Sequence, residues 1–345
     1  MKVSGDGSMK IALPKKNPQG TARPKPIGID GPHRLRSLTR FMRAHLPLKP
    51  KPDPVKFSYA TADQPVLTRA MIKTIEFVGG QRKLKKRYLE GRAAIARGES
   101  FFDMAVRMLA LDVVFDRSQL AKVPKDGPVL FVANHPYGVL DGVTLAWLAM
   151  QARPDVKVLA AGVLCKLPES REHLLPIDFA ETREAQETTL KSRMAAQKWL
   201  HAGNAIGIFP AGGISTSDKP LEGPALDLPW APFTGKLAMG SKATVVPIFF
   251  EGQNSRLFQL ASHLSMTLRY SLLFRETVRR MGTRLIVRIG DPIPYEEWSA
   301  IKEREPLVAE FRRRTLSLAP LGGDAIMKDG RLKIYTKPAP LKSLG

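Results

Sequence analysis

Residues 134–142 combine side chains suited to acid–base chemistry with the turn residues that would present them. The segment reads Asn-His-Pro-Tyr-Gly-Val-Leu-Asp-Gly, so that His135 precedes Asp141 by a short turn. A histidine side chain is mostly neutral at pH 7 and can take a proton from a hydroxyl, while a nearby carboxylate can fix its tautomer and stabilise the imidazolium. We predict His135 as a general base and Asp141 as its orienting carboxylate.

The flanking residues predict the elements that would position this pair. Residues 128–133 form a short, apolar, partly β-branched run, which is typical of a strand buried in a parallel sheet. A helix is predicted directly after the pair, at Gly142–Met150. The two side chains would then lie at the carboxyl edge of the sheet, where α/β enzymes bind their ligands.

Two later blocks accompany the first one. Residues 209–215 read Phe-Pro-Ala-Gly-Gly-Ile-Ser after an apolar run, and residues 245–255 form an apolar strand with a central proline that ends in Asn-Ser. In this order and spacing, the three blocks resemble those of the glycerolipid acyltransferases that make phosphatidic acid, and of the wider lysophospholipid acyltransferase superfamily. Within it, the chain is most similar to a bacterial branch labelled hemolysin-like or lyso-ornithine-lipid acyltransferase.

The resemblance implies roles for further residues. Residues 209–215 match the phosphate-binding segment of the family, and an arginine for the lipid phosphate is usual between the first two blocks, where we prefer Arg183 over Arg171. The backbone N–H groups around Gly212 and Gly213 are candidate donors to the oxyanion. The expected substrate-binding residues are Asn134, Gly138, Arg183, Phe209, Pro210, Gly212, Gly213 and Ser215.

Two departures from the family pattern bear on the substrate. Five residues separate His135 from Asp141 where four are typical, and Ala211 stands where a glutamate is usual. Without that carboxylate, glycerol 3-phosphate is a poor candidate acceptor and a larger lyso-lipid is favoured.

The resemblance therefore implies a peripheral membrane acyltransferase. It would move a fatty acyl chain from acyl carrier protein or coenzyme A to the hydroxyl of a lyso-lipid, such as lysophosphatidate or a lyso-ornithine lipid. Neither a metal nor another cofactor is expected, since the histidine activates the hydroxyl directly. The alternative is a non-catalytic lipid- or membrane-binding protein that keeps the fold.

Composition favours a reaction at a negatively charged surface. The chain has 345 residues and a formal net charge of +22, which draws a protein to polyanions. Basic residues cluster in residues 1–55, in Gln81–Arg87 and, mixed with apolar side chains, in Arg269–Arg288. We interpret these clusters as contacts with an anionic membrane, to which each basic residue contributes about 1 kcal/mol. No nucleic-acid-binding signature is present, so no specific nucleic acid is expected.

The expected location is cytoplasmic, on the inner face of the cell membrane. The first residues lack the apolar core of a signal peptide, and no stretch approaches the roughly 18 apolar residues of a membrane-spanning helix. The single cysteine, Cys165, allows no internal disulfide. We expect it to be a buried, inert thiol, and a serine or cysteine hydrolase is disfavoured because no Gly-x-Ser-x-Gly elbow is present.

The predicted fold class is α/β, with a mixed, mostly parallel sheet flanked by helices. Residues 1–58 are predicted as a largely disordered basic Pro/Gly-rich arm, residues 59–318 as the acyltransferase domain with N-terminal helices, and residues 319–345 as a basic tail. Strands are predicted at residues 129–133, 156–160, 205–209, 245–250 and 285–289. Helices are predicted at residues 66–77, 99–114, 143–152, 180–202, 232–240 and 296–316.

Overall fold

The structure, a computed structural model, describes residues 57–62, 64–160, 162–180 and 182–320, together with the short strand pair 327–328 and 331–332. The predicted basic arm and basic tail lie almost entirely outside these residues. None of the described helices is long and apolar enough to span a membrane.

The centre of the fold is a seven-stranded sheet with the order β1-β9-β8-β2-β5-β3-β4. Five neighbouring strands, from β8 to β4, run parallel, while β9 is antiparallel to β8 and parallel to β1. The sheet strands are β1 Asp112–Val114, β2 Val129–Ala133, β3 Lys157–Ala160, β4 Leu174–Pro176, β5 Ala205–Ile208, β8 Thr244–Phe250 and β9 Arg284–Ile289. A small antiparallel pair, β6 Thr216–Ser217 and β7 Ala225–Leu226, lies outside the sheet.

Helices cover both faces of the sheet, which confirms the predicted fold class. The helices are α1 Val66–Val78, α2 Gln81–Ile95, α3 Phe101–Met108, α4 Arg117–Ala121, α5 Val139–Ala152, α6 Arg183–His201, α7 Phe233–Ser241, α8 Arg256–Leu264, α9 Met266–Ser271, α10 Leu273–Arg280, α11 Tyr295–Trp298 and α12 Arg304–Leu316. Short 3-10 turns occupy Gly162–Lys166 and Pro168–Ser170.

The central strand β2 is buried along its whole length and contributes side chains to two hydrophobic cores, one on each face of the sheet. Phe131 packs with residues of α2, α3 and α5, whereas Leu130 and Val132 pack with residues of α6, α7 and α12. Successive side chains of a strand point to opposite faces, so an uninterrupted apolar run fits a strand that is covered on both sides.

Two predicted helices have different limits in the structure. The predicted helix 99–114 ends at Met108, because Ala110 adopts a left-handed conformation with a φ of 51° and Asp112–Val114 then pairs with β9. The predicted helix 296–316 is divided into α11 and α12. Trp298, which is fully buried, packs edge-on against Phe311 with ring centroids 5.9 Å apart, so the chain turns between them.

The predicted membrane-binding stretch Arg269–Arg288 is not a continuous basic surface. Arg269 is buried, and the ion pairs of this stretch neutralise much of its charge. Arg275 and Arg279 contact Glu276, Arg284 contacts Asp112, and Arg288 contacts Glu251. Arg284 joins β9 to β1 and Arg288 joins β9 to the residue after β8, whereas Arg275 and Arg279 pair with Glu276 within helix α10.

Candidate active site

Three neighbouring strands bring the three sequence blocks together. Strand β2 pairs with β5 on one side and with β8 on the other, both in parallel. The residues that follow these strands, beginning with Asn134, Phe209 and Glu251, therefore emerge at the same edge of the sheet. This edge is where parallel α/β folds bind ligands.

The predicted acid–base pair is assembled at this edge. The Nδ1 atom of His135 lies 3.0 Å from Oδ2 of Asp141, at ion-pair distance although not aligned as a hydrogen bond. The His135 side chain is 17% exposed, whereas the Asp141 side chain is fully buried. Burial raises the pKa of the Asp141 carboxyl, and His135 and two backbone N–H groups oppose that rise.

The start of helix α5 holds the carboxylate in place. Oδ2 of Asp141 accepts hydrogen bonds from the backbone N–H groups of Tyr137 at 2.6 Å and Gly138 at 2.9 Å. Gly138 has a φ of 80°, and a Cβ atom there would lie 2.7 Å from the Ile214 side chain. The predicted importance of Gly138 therefore has a backbone cause, because the turn and the close approach both require glycine.

The second block forms one wall of the site. The Phe209 ring stacks on the imidazole of His135, with centroids 4.0 Å apart and an angle of 25° between the planes. The Pro210 carbonyl accepts a hydrogen bond from the Ala231 N–H. These contacts leave the His135 ring with one face covered by an aromatic side chain.

Only one of the two predicted oxyanion donors is free. The Gly212 N–H donates to the Phe209 carbonyl at 3.0 Å and closes the turn, so it is not free for a ligand. Among the described residues, the Gly213 N–H has no hydrogen-bond partner. Of these two glycines, Gly213 is the one whose N–H stays open to a ligand, and its role as an oxyanion donor stays a prediction.

The comparisons with known proteins identify the chain. Residues 98–320, which include all three blocks, match the acyltransferase family. The chain belongs to this family. The lyso-glycine lipid O-acyltransferase of Phocaeicola vulgatus is 28% identical over 203 residues, covering 56% of this chain and 68% of that protein. The enzyme of the same name from Bacteroides thetaiotaomicron is 27% identical over 203 residues, covering 56% and 70%.

Among solved structures, the 1-acyl-sn-glycerophosphate (LPA) acyltransferase PlsC of Thermotoga maritima is similar at 17% identity and a TM-score of 0.41. The match covers 84% of this chain and 97% of that one. Family membership confirms the predicted superfamily and the prediction that the chain is an acyltransferase.

Two predicted substrate-binding side chains of this acyltransferase make internal contacts instead. The Asn134 amide donates to the Phe250 carbonyl at 3.0 Å and accepts from the Phe250 N–H at 2.7 Å, so it extends the pairing of β2 with β8. The Ser215 hydroxyl is buried and donates to Asp227 at 2.6 Å. Each side chain keeps further hydrogen-bonding capacity, and its contact with a substrate stays a prediction.

The two candidate arginines of the acyltransferase lie outside the site. Arg183 is the first residue of α6, has a side chain that is 88% exposed, and pairs with Glu187 at 3.1 Å. Arg171 is exposed. Neither arginine contacts the His135–Asp141 pair among the described residues, and the Arg183 contact with a lipid head group stays a prediction.

The sequence analysis missed two buried charged residues beside the site. Asp227 accepts a hydrogen bond from the His135 N–H at 3.1 Å, and Arg269 donates to the Thr216 hydroxyl at 2.6 Å and to the Ile214 carbonyl. Asp227 lies in a proline- and leucine-rich stretch without any family motif, and Arg269 looked like one of many surface arginines. Neither position carries a sequence signal of its own.

An apolar cavity borders helix α5, and neither His135 nor Asp141 lines it. Its volume is about 70 Å³. Val139 and Val143, which flank Asp141 in the helix, form part of its wall, and Leu164 and Phe274 form another part. Among the described residues, no cluster of three His, Cys, Asp or Glu side chains is arranged to hold a metal ion.

Proposed function

We propose that this acyltransferase moves a fatty acyl chain from a thioester of acyl carrier protein or coenzyme A to the hydroxyl of a lyso-lipid at an anionic membrane surface. The observation that carries the proposal is the position of His135. Its ring is held between Phe209 and the buried carboxylate of Asp141, at the carboxyl end of the central strand of a family acyltransferase.

In this proposal, His135 removes the proton of the acceptor hydroxyl as its oxygen attacks the thioester carbonyl. The Gly213 N–H donates to the oxyanion of the tetrahedral intermediate, and Asp141 stabilises the imidazolium. The intermediate collapses with cleavage of the C–S bond, and the imidazolium returns its proton to the leaving thiolate. The products are an ester and a free thiol, so no residue of the protein carries the acyl group.

The acceptor we propose is a lyso-lipid with an amino-acid head group, and a lysophospholipid such as lysophosphatidate is the second candidate. The support is the name of the two relatives, which act on lyso-glycine lipid. Ala211 stands where a glutamate is usual in the family, which favours a larger lyso-lipid over glycerol 3-phosphate as the acceptor.

The apolar cavity beside α5 is the proposed site for part of the acyl chain. At about 70 Å³ it is smaller than the cavity of about 150 Å³ that holds a benzene molecule in an engineered protein core. A fatty acyl chain therefore requires its walls to move apart, and the mobile groups would be the side chains that α2 and α3 contribute.

The test is an acyl-transfer assay with purified protein. Labelled acyl–acyl carrier protein and acyl-CoA are offered with lyso-glycine lipid, lyso-ornithine lipid and lysophosphatidate. We expect diacyl product with the wild type, loss of product with His135→Ala, and unchanged rates with His201→Ala, a surface histidine at the end of α6. Equal product from wild type and His135→Ala would refute the mechanism. Lipid binding without product from either would favour a non-catalytic lipid-binding protein.

The membrane-facing surface we propose is formed by α1 and α2. Helix α1 exposes apolar side chains along much of its length, which is unusual for a helix of a water-exposed surface: Val66, Leu67, Met71, Phe77 and Val78. Exposed basic residues of the same two helices lie beside them: Lys73, Arg82, Lys83, Lys85 and Lys86. Apolar side chains enter the bilayer interface while basic ones pair with anionic lipids. Since the proposed donors are cytoplasmic thioesters, this would be the inner face of the cell membrane.

Sedimentation with vesicles tests this surface. We expect Leu67→Ser combined with Val78→Ser to weaken binding to vesicles of phosphatidylglycerol and phosphatidylcholine by about 30-fold, because about 1 kcal/mol is lost for each of the two exposed apolar side chains. The matched control is Leu190→Ser with Met194→Ser, which removes two other exposed apolar side chains, those of α6. Equal binding by both double variants would refute the assignment of this face.

A further inference from the structure

We infer that Asp227 is the residue that positions His135 through its backbone, and this inference rests on the proposed role of His135 as general base. Asp227 follows strand β7, in the connection between the second and third sequence blocks. Its side chain is buried, and it contacts the first block, the second block and its own loop.

One carboxylate oxygen of Asp227 joins the first two blocks. Oδ1 accepts hydrogen bonds from the His135 N–H at 3.1 Å and from the Ser215 hydroxyl at 2.6 Å. The Ser215 N–H in turn donates to the His135 carbonyl at 2.8 Å. The backbone of His135 is thus held at both its N–H and its carbonyl, and Asp227 or its partner Ser215 makes each contact.

The other carboxylate oxygen fixes Asp227 itself. Oδ2 accepts from the indole N–H of Trp230 at 3.0 Å, and the Asp227 carbonyl accepts from the Arg312 guanidinium at 3.2 Å. Burial lowers the pKa of Arg312, and the charge of Asp227 opposes that change. A carboxylate with three donors and a neighbouring guanidinium has little freedom, so it can hold the His135 peptide in one position.

This position matters because the His135 ring is fixed at two further points. Its face packs on Phe209, and its Nδ1 lies 3.0 Å from Asp141. A shift of the His135 backbone moves the ring relative to both contacts. Misplacement of a reacting group by about 1 Å can cost about 10²-fold in rate.

Asp227→Asn tests the inference by kinetics. An asparagine can turn its oxygen to the His135 and Ser215 donors, but it loses the charge that strengthens both hydrogen bonds, and its amide group then stands against the Trp230 indole N–H, so the side chain loses its anchor. We expect kcat to fall by about 10- to 100-fold while KM for the acceptor stays within about twofold. The acid limb of the pH–rate profile should move to lower pH, because a displaced imidazolium is less stabilised by Asp141.

Glu276→Gln is the matched control. Glu276 is also a buried carboxylate that accepts from a backbone N–H and a serine hydroxyl, those of Ser255, but it holds the start of α8 and has no contact with His135. We expect it to lose stability and keep its kcat per folded molecule. Ser215→Ala should lower kcat less than Asp227→Asn, and the double variant should be no slower than Asp227→Asn alone, because both act through one backbone position.

Two outcomes separate this inference from the proposed function. The positioning role would be overturned, and the proposed function left intact, by either of two results. One is full activity of Asp227→Asn when His135→Ala is inactive, and the other is an equal loss of kcat in Asp227→Asn and Glu276→Gln. Should the wild type transfer no acyl group, histidine NMR still decides the inference. The His135 ring resonances, assigned by their loss in His135→Ala, should shift in Asp227→Asn and stay in place in Glu276→Gln. Unshifted resonances would overturn it.

Discussion

Asp141→Asn separates the charge of this carboxylate from its structural contacts. Oδ2 of Asp141 accepts from the N–H groups of Tyr137 and Gly138, whereas Oδ1 is buried and has no hydrogen-bond partner among the residues that the structure describes. An asparagine can place its oxygen at the Oδ2 position and keep both backbone contacts. Its amide group then takes the unpaired position, so the start of α5 is preserved while the charge beside His135 is removed.

The size of the catalytic effect follows from the distance of 3.0 Å between Nδ1 of His135 and Oδ2 of Asp141. Coulomb's law with an effective dielectric constant of about 20 gives about 5 kcal/mol for unit charges at this distance, and about 3 kcal/mol once the imidazolium charge is spread over the ring. We therefore expect kcat to fall by about 10²- to 10⁴-fold.

The free energy of unfolding of this variant should differ little from that of the wild type, and the difference should depend on pH. A buried amide N–H without an acceptor costs about 1–3 kcal/mol, but the variant no longer buries a charge. Burial raises the pKa of Asp141 above its ordinary value of 3.8, so the wild type loses folding free energy as the pH rises from this value through the folded-state pKa. Relative to the wild type, the variant should therefore gain stability as the pH rises above the ordinary carboxyl pKa of 3.8.

The assay combines kcat measurements with urea unfolding at several pH values. His135→Ala and the double variant His135→Ala/Asp141→Asn should share one residual rate, because Asp141 acts through His135. A kcat within threefold of wild type for Asp141→Asn would refute this reasoning. So would a double variant that is slower by the product of the two single effects.

Two further changes test the surroundings of the site. Gly252→Ala should lower both stability and kcat. The new Cβ would lie 1.9 Å from the Tyr137 hydroxyl oxygen at a backbone φ of +101°, and Tyr137 donates its N–H to Asp141. Thermal melts and kcat measurements check this, and a variant with wild-type melting temperature and kcat would contradict it. Cys165→Ser should keep its activity within about twofold. Burial raises the pKa of the Cys165 thiol to about 11, so its alkylation, followed by mass spectrometry, should be slow at pH 7.5 and become faster only towards pH 11. Loss of activity in step with alkylation at neutral pH would instead show that Cys165 takes part in the reaction.

The central strands could be predicted because they are covered on both faces. The apolar run that predicts 129–133 is strand β2 with the same limits, and β5 and β8 differ from their predicted limits by one residue each. A strand buried on both sides needs apolar side chains at every position, so composition alone marks it. Because β5, β2 and β8 are neighbouring parallel strands, the residues that follow their predicted ends lie at one edge of the sheet.

The short and peripheral elements could not be predicted in this way. Strand β1 has three residues and exists because Val113 pairs with Leu285, far away in sequence. Helices α8 to α10 were missed because arginines interrupt their apolar pattern, and one of these, Arg269, is buried. Tertiary contacts decide such segments, and local composition does not record them.

The same limit applies within the site. The acid–base pair was predictable because both residues lie in one turn, where spacing and helix start fix their geometry. The contacts of Asn134 with Phe250 and of Ser215 with Asp227 depend on residues in other blocks. A polar residue next to a catalytic motif looks like a ligand in the sequence, and its partner within the protein is visible only in the structure.

The additional residue between His135 and Asp141 is compatible with the same chemistry, because the helix start fixes the carboxylate. Asp141 is the third residue of α5 and accepts from the N–H of Gly138, the residue before the helix. The longer turn is accommodated by Tyr137, whose hydroxyl donates to the Glu251 carbonyl at 2.7 Å, directly beside Gly252. The third block therefore supports the first one, because the absence of a side chain at Gly252 leaves space for the Tyr137 hydroxyl. This contact explains why a substitution at Gly252 should alter the position of the His135–Asp141 pair.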